Sequence, residues 1–294
     1  MNSAILIGMT YLIVLLSSIA AAVGARRKAP ALLCYGAAIM MLLFDHSLWI
    51  VPAIPGLIIS SRYFWKNRKI LLVCNVVILL AVVVNVAGML YFTRTGREIT
   101  EIEPDTPAVR HTVTPEMLEE LPPPVKKWLK GSGVIGREMI REVELTQHGR
   151  MRLEPDQQDW AELQAQQFIN VESPAFSWRV ETSIKGLPVT GRDFFAGGEG
   201  SMEMRLLSMI PVVNVSKHHK LNESTLQRYL GEILWYPTAA LHEYIQWEPI
   251  DAYNARAVMQ WGATEGEAVF TFNASGEPVS FTAWRYRDIE DTAP

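Results

Sequence analysis

Apolar residues run almost without interruption over 4–24 (AILIGMTYLIVLLSSIAAAVG) and again over 70–92 (ILLVCNVVILLAVVVNVAGMLYF). Each run is about 20 residues long, enough to cross a hydrocarbon core as a helix. The first is followed by a basic cluster at 26–28 and has none before it, the flanks of an anchor rather than of a cleaved signal. The apolar stretch 31–61 is too long for one span and short for two, and Asp45-His46 sits at its middle. A helical hairpin with this pair at its tip spares an ionisable group the cost of mid-bilayer burial. Asp45-His46 as a proton or ion site is the other reading. The basic segments RRK (26–28) and RYFWKNRK (62–69) then place both ends of the middle segment in the cytoplasm. Everything after Phe92 falls on the extracytoplasmic side. The expected organisation is a membrane domain over 1–92, a linker over 93–120 and a soluble β-rich domain over 121–290.

The polar, acidic segment from Thr93 to Pro115 lacks apolar periodicity and reads as a tether. Thr114-Pro115 is a helix start, and PPPVKKWLKGSG predicts a second short helix ending at Gly131. From there the period switches to two. REVELTQ (141–147), AFSWRVETSIK (175–185), SMEMRLL (201–207), ARAVMQW (255–261), EAVFTFNA (267–274) and VSFTAWRYR (279–287) alternate as strands, the last two joined by the hairpin signal NASGEP. Asn222 caps an expected helix over 222–236, where Leu226, Tyr229, Leu230 and Ile233 fall on one face and Pro237 ends the run. The fold class is α+β: transmembrane helices, then eight to ten antiparallel strands in a half-barrel-like meander with a helix packed on one face.

Charge sharpens the division. The first 92 residues carry seven basic residues and one acid, a net of +6, which leaves 20 basic and 30 acidic residues, a net of −10, for the remainder. A domain this acidic repels nucleic acid, so no nucleic-acid partner is expected. The only cysteines, Cys34 and Cys74, lie in apolar segments, which leaves the soluble part without a disulfide framework or a cysteine zinc site. No cofactor is expected.

The glycine-rich GLPVTGRDFFAGGEGSMEM (186–204) invites a nucleotide-loop reading. Such a loop needs a helix after its glycines, and here Met202, Met204 and Leu206 alternate as a strand, so GGEG is a hairpin turn. Arg192 and Asp193 are neighbours in a strand and point to opposite faces, so one charge must find a partner on the apolar side. It is either a structural ion pair or a polar anchor in a pocket. His218, His219 and His242 with Glu243 are metal candidates, although adjacent histidines rarely converge. Ser216 and Ser224 lack the nucleophile elbow of a serine hydrolase. The sequons at 214, 222 and 273 matter only in a secretory pathway. The aromatics are dense. They either fill a core or, in surplus, line an apolar groove.

The segments LPPPVKKWLKGSGVIG, GRMRL, GLPVTGRDFFAGGEGSM, IPVV, LQRYLGEILWYPTAAL, WEPID, ARA and FTFNASGEP resemble a bacterial family of unknown function whose members often carry N-terminal membrane helices. The likeness covers Leu121 to about Arg287 and implies no reaction. The architecture also resembles the LolA-like half-barrel of periplasmic lipoprotein carriers, which implies an acyl chain held in a sheet's concave face under a helical lid. The expected function is a non-catalytic, extracytoplasmic binding domain on the bacterial inner membrane for a lipid or other apolar ligand. The candidate ligand-binding residues are Trp178, Arg192, Asp193, Phe195, Met202, Met204, Arg228, Trp235, Tyr236 and Trp247. An accessory subunit with a membrane-protein partner is the alternative, and a hydrolase working through Asp193 or the His218 region the third.

Overall fold

The computed structural model describes residues 68–104, 111–152, 158–184, 186–286 and 288–294, without the side chains of 68–75, 77, 78 and 81. The expected membrane segments 4–24 and 31–61 lie outside these residues. The expected span 70–92 falls within helix α1 (Arg68–Ile102). Counted over the described residues alone, no helix is long and apolar enough to cross a membrane.

Beyond α1 the chain is α+β, with two antiparallel sheets and few helices. A 3-10 turn (Glu116–Leu118) and α2 (Pro123–Gly131) lead into six strands, β1 (Glu142–Met151), β2 (Ala161–Asn170), β3 (Ala175–Ile184), β4 (Leu187–Ala196), β5 (Glu199–Leu206) and β6 (Ile210–Ser216). Helix α3 (His219–Glu232) and two 3-10 turns (Ile233–Trp235, Pro237–Leu241) follow. A second meander closes the chain, with β7 (Ile245–Pro249), β8 (Asn254–Trp261), β9 (Thr264–Phe272) and β10 (Pro278–Thr282). The sheets run β1-β2-β3-β4-β5-β6 and β10-β9-β8-β7, each strand beside its sequence neighbour. The single meander expected from alternation is therefore two, and neither closes into a barrel.

The main core lies where α3 meets both sheets and α2. Leu226, Tyr229 and Leu230 of the helix, with Ile233 of the 3-10 turn after it, pack with Ile169, Phe176 and Phe195 of the first sheet and with Ala255, Ala257, Ala268, Phe270 and Phe272 of the second. Three alanines on that sheet let the helix come close. A Cβ on Gly266 would meet Gln227 Cγ at 3.0 Å and one on Gly231 would meet the Phe281 ring at 3.2 Å. The alternation of β3 and β4 brings Phe176 opposite Phe195 and Trp178 opposite Asp193, all on this core face. On the same face a second apolar cluster of Ala165, Val180, Val189 and Met204 is packed by Met202, Leu206 and Leu163. Gly191 leaves room there for Met204, since a Cβ would lie 2.2 Å from Met204 Sδ and 2.9 Å from Val180 Cγ1 and would force the methionine to move.

Three local expectations are corrected. The stretch 93–102 is not a tether. It continues α1, whose Ile99 and Ile102 pack with Phe168, Ala175 and Phe194 on the sheet's opposite face. Two isoleucines three residues apart suffice when charged neighbours pair with the sheet. Helix α3 starts at His219, and Asn222 does not cap it. The Asn222 side chain instead accepts from the Gly200 N–H at 2.8 Å, tying the helix to β5. The helix also ends at Glu232, and a 3-10 turn carries Ile233–Trp235. The glycines at 197 and 198 form the β4–β5 hairpin turn at φ 59° and 84°, as alternation predicted.

Candidate functional site

Helix α3 lays Arg228 across the core face of the first sheet. Its guanidinium sits 5.0 Å from the Phe176 ring centre and 4.8 Å from that of Trp178, within cation–π range of both. It donates to Asp193 at 2.5 Å and to Glu232, one turn on, at 2.9 Å. Gln167 Nε2 donates to the other Glu232 oxygen at 2.5 Å. Gln147 Nε2 donates to Gln167 Oε1 at 3.3 Å, while its Oε1 accepts from Trp178 Nε1 at 2.8 Å. The network therefore starts and ends against Trp178. Strand register builds it, since Gln167, Trp178, Asp193 and Met202 stand opposite one another on β2, β3, β4 and β5.

Burial dominates the electrostatics. It pushes the Asp193 carboxyl above the ordinary aspartate range, against the pull of Arg228 and the exposed Arg285. The charges of Glu232 and Asp193 hold Arg228 protonated against its own desolvation. The result is a cation clamped between two aromatic faces and two carboxylates, one of which burial pushes towards its neutral form. Among the described residues no three His, Cys, Asp or Glu converge on a metal-sized site. His218 and His219 stack on each other at 4.7 Å, and His242 stacks on Tyr244 at 4.9 Å.

Of the ten candidate residues, Trp178, Asp193 and Arg228 meet directly, with Met202 beside Asp193 in the register and Met204 in the adjoining apolar cluster. Arg192 does not join them. It faces α1, pairs with Glu98, donates to Ser201 Oγ at 3.0 Å and lies over Phe194. Phe195 and Tyr236 are fully buried core residues, the first stacked on Phe176 and the second edge-on to Tyr229. Trp247 packs on Phe270 and donates to the Ala240 carbonyl at 3.0 Å, while Trp235 is exposed at the end of the helix. Gln147, Gln167 and Glu232 were missed by sequence reasoning. The signal was present in LQAQQFI, where Gln167 takes an inward position between Ala165 and Ile169.

The other face of the sheet carries a second feature. Ala87, Leu90, Tyr91 and Arg94 of α1, with Arg205, Ser208 and Met209, line an open groove of about 350 Å³. Arg94 and Arg205 both pair with Glu203 and both flank the Tyr91 ring, at 5.3 and 5.9 Å.

These features define an α+β domain of two antiparallel meanders joined by a helix, with a buried polar network between helix and sheet. Residues 111–293 match a family of unknown function, DUF6544, and the chain belongs to it. No curated protein and no solved structure matches the chain.

Proposed function

We propose that this chain is a membrane-anchored, non-catalytic domain that binds a lipid or similarly apolar ligand on the extracytoplasmic side of the inner membrane. The carrying observation is the apolar cluster of Ala165, Val180, Val189 and Met204, which lies apart from the main core and next to the Arg228 network. Methionine repacks easily, so Met202 and Met204 suit a site that opens around an alkyl chain. Arg228 would receive the polar head as Asp193 takes up a proton and lets go. The charge-free run over 70–92 supports the anchor. The half-barrel likeness adds an analogy of architecture only.

The test is native mass spectrometry of the full chain in gentle detergent, with extraction and identification of retained small molecules. A lipid in near-equal ratio is expected. Met202→Gln should lose it while circular dichroism and the unfolding midpoint stay near those of the parent. A chain that retains no ligand, or a variant that loses fold and ligand together, would sink the reading. The accessory-subunit alternative is favoured by Trp235, Ile250, Tyr253 and Trp284, large apolar side chains left exposed outside this site. It predicts a membrane protein recovered with the chain in fixed ratio.

A further inference from the structure

Three strand connections lie at one end of the first sheet. Met151 pairs with Ala161, Ile184 with Leu187 and Leu206 with Ile210, each the last pair before its turn. Helix α1 crosses the sheet towards this end. Ile102 accepts from Asn170 at the far end, Glu98 pairs with Arg192, Arg94 with Glu203, and Gly88 sits against Ser208 in the β5–β6 turn. The roughly 20 residues of α1 before Gly88 therefore project beyond the sheet, about 30 Å at helical rise, the thickness of a hydrocarbon core. Between Lys69 and Arg94 there is no charged residue.

The same sheet end exposes large apolar side chains. Trp160, Leu187, Ile210 and Val212 are each about half accessible to solvent, and they lie at or beside three different connections. Trp160 carries Arg152 over its ring at 4.6 Å. Exposed aliphatics with a tryptophan and an arginine at the same end of the sheet suit an interfacial rim. The groove between α1 and the β5–β6 turn opens here too. It holds two guanidiniums against one shared, mostly buried carboxylate, a local excess of positive charge beside apolar Leu90 and Met209.

We propose that this end of the sheet rests on the bilayer and that the groove takes the phosphate of an anionic phospholipid, held by Arg94 and Arg205 with its glycerol and upper acyl carbons against Leu90 and Met209. The proposal rests on the membrane placement of α1 put forward above. It is independent of any ligand on the core face. Guanidinium suits the role, because its planar fork matches phosphate oxygens and it is easily desolvated. The occupant is a membrane lipid because the helix delivers the groove to headgroup depth, and no turn of the chain has to move.

The experiment uses the full chain in nanodiscs of phosphatidylcholine, with and without phosphatidylglycerol, and follows backbone hydrogen exchange. Segments 186–190 and 205–214 should exchange about tenfold more slowly when phosphatidylglycerol is present. Removing both arginines would strand the mostly buried Glu203, so the variant is Arg94→Gln with Glu203→Gln and Arg205→Gln. It should abolish the phosphatidylglycerol dependence while exchange over 254–272 stays that of the parent. Ile210→Ser with Val212→Ser should speed exchange at 205–214 in both discs. Equal protection in the two lipids, or the same protection from inorganic phosphate in detergent, overturns the lipid site. Unprotected amides over 70–92 would overturn the membrane reading itself. Loss of a core-face ligand with the rim intact would touch only the binding reading.

Discussion

Arg228 shows how one side chain can organise a face of the molecule. Its two carboxylates differ. Glu232 shares the helix and is also held by Gln167, whereas Asp193 comes from the sheet and is pushed towards its neutral form by burial. Removing Arg228 leaves a buried Asp193 and a half-paired Glu232, so Arg228→Met should cost about 3 kcal/mol or more in urea denaturation. Asp193→Asn keeps an acceptor of the same shape and should cost under about 1.5 kcal/mol. If both changes cost the same, the pair is no more than a surface ion pair. The sequence announced that one of Arg192 and Asp193 faces an apolar side, but neither which of them nor its partner. Arg228 lies 35 positions away in the chain, and only the docking of α3 brings the two together.

At the scale of elements, periodicity was a good guide wherever one face met solvent. β1, β3, β5, β8 and β9 were legible because their apolar residues alternate. Strands β2 and β6 were not, since glutamines interrupt the first and IPVVNVS is exposed along most of its length. The end of α1 was missed for another reason. Its contact with the sheet uses only Ile99 and Ile102, with Glu98–Arg192 and Arg94–Glu203 supplying the rest, too little apolar surface to show as periodicity. That contact still fixes how the domain is held. Ile102 is buried and its carbonyl accepts from Asn170 at 2.8 Å. Ile102→Ala should destabilise the domain by about 2–4 kcal/mol, read as a lower denaturation midpoint at constant slope. A flexible tether would show no change.

Across the whole molecule, the buried titratable groups set the pH window of stability. Burial lowers the pKa of His242, against the pull of Glu172, and its Nε2 has no partner. A histidine with a depressed folded pKa contributes stability above its unfolded value near 6.5 and loses it as pH falls. The Arg141 hydrogen bond lowers Glu172, so that carboxylate also loses stability towards acid, at lower pH. Asp193 has the opposite sign. Its raised pKa means its neutral form is favoured in the fold, so its contribution is lost as pH rises through that value and partly offsets Glu172. At the alkaline end, Tyr229 and Tyr236 are held protonated by burial, and stability present below pH about 10 is lost when they ionise. The dome should therefore be asymmetric, with a first acid decline that begins near neutral pH and belongs to His242. His242→Gln removes the imidazole charge and should flatten the decline that sets in as pH falls below about 6.5 while leaving the steeper carboxylate limb at lower pH. An unchanged slope there, measured by urea denaturation at stepped pH, would assign the first decline to another group.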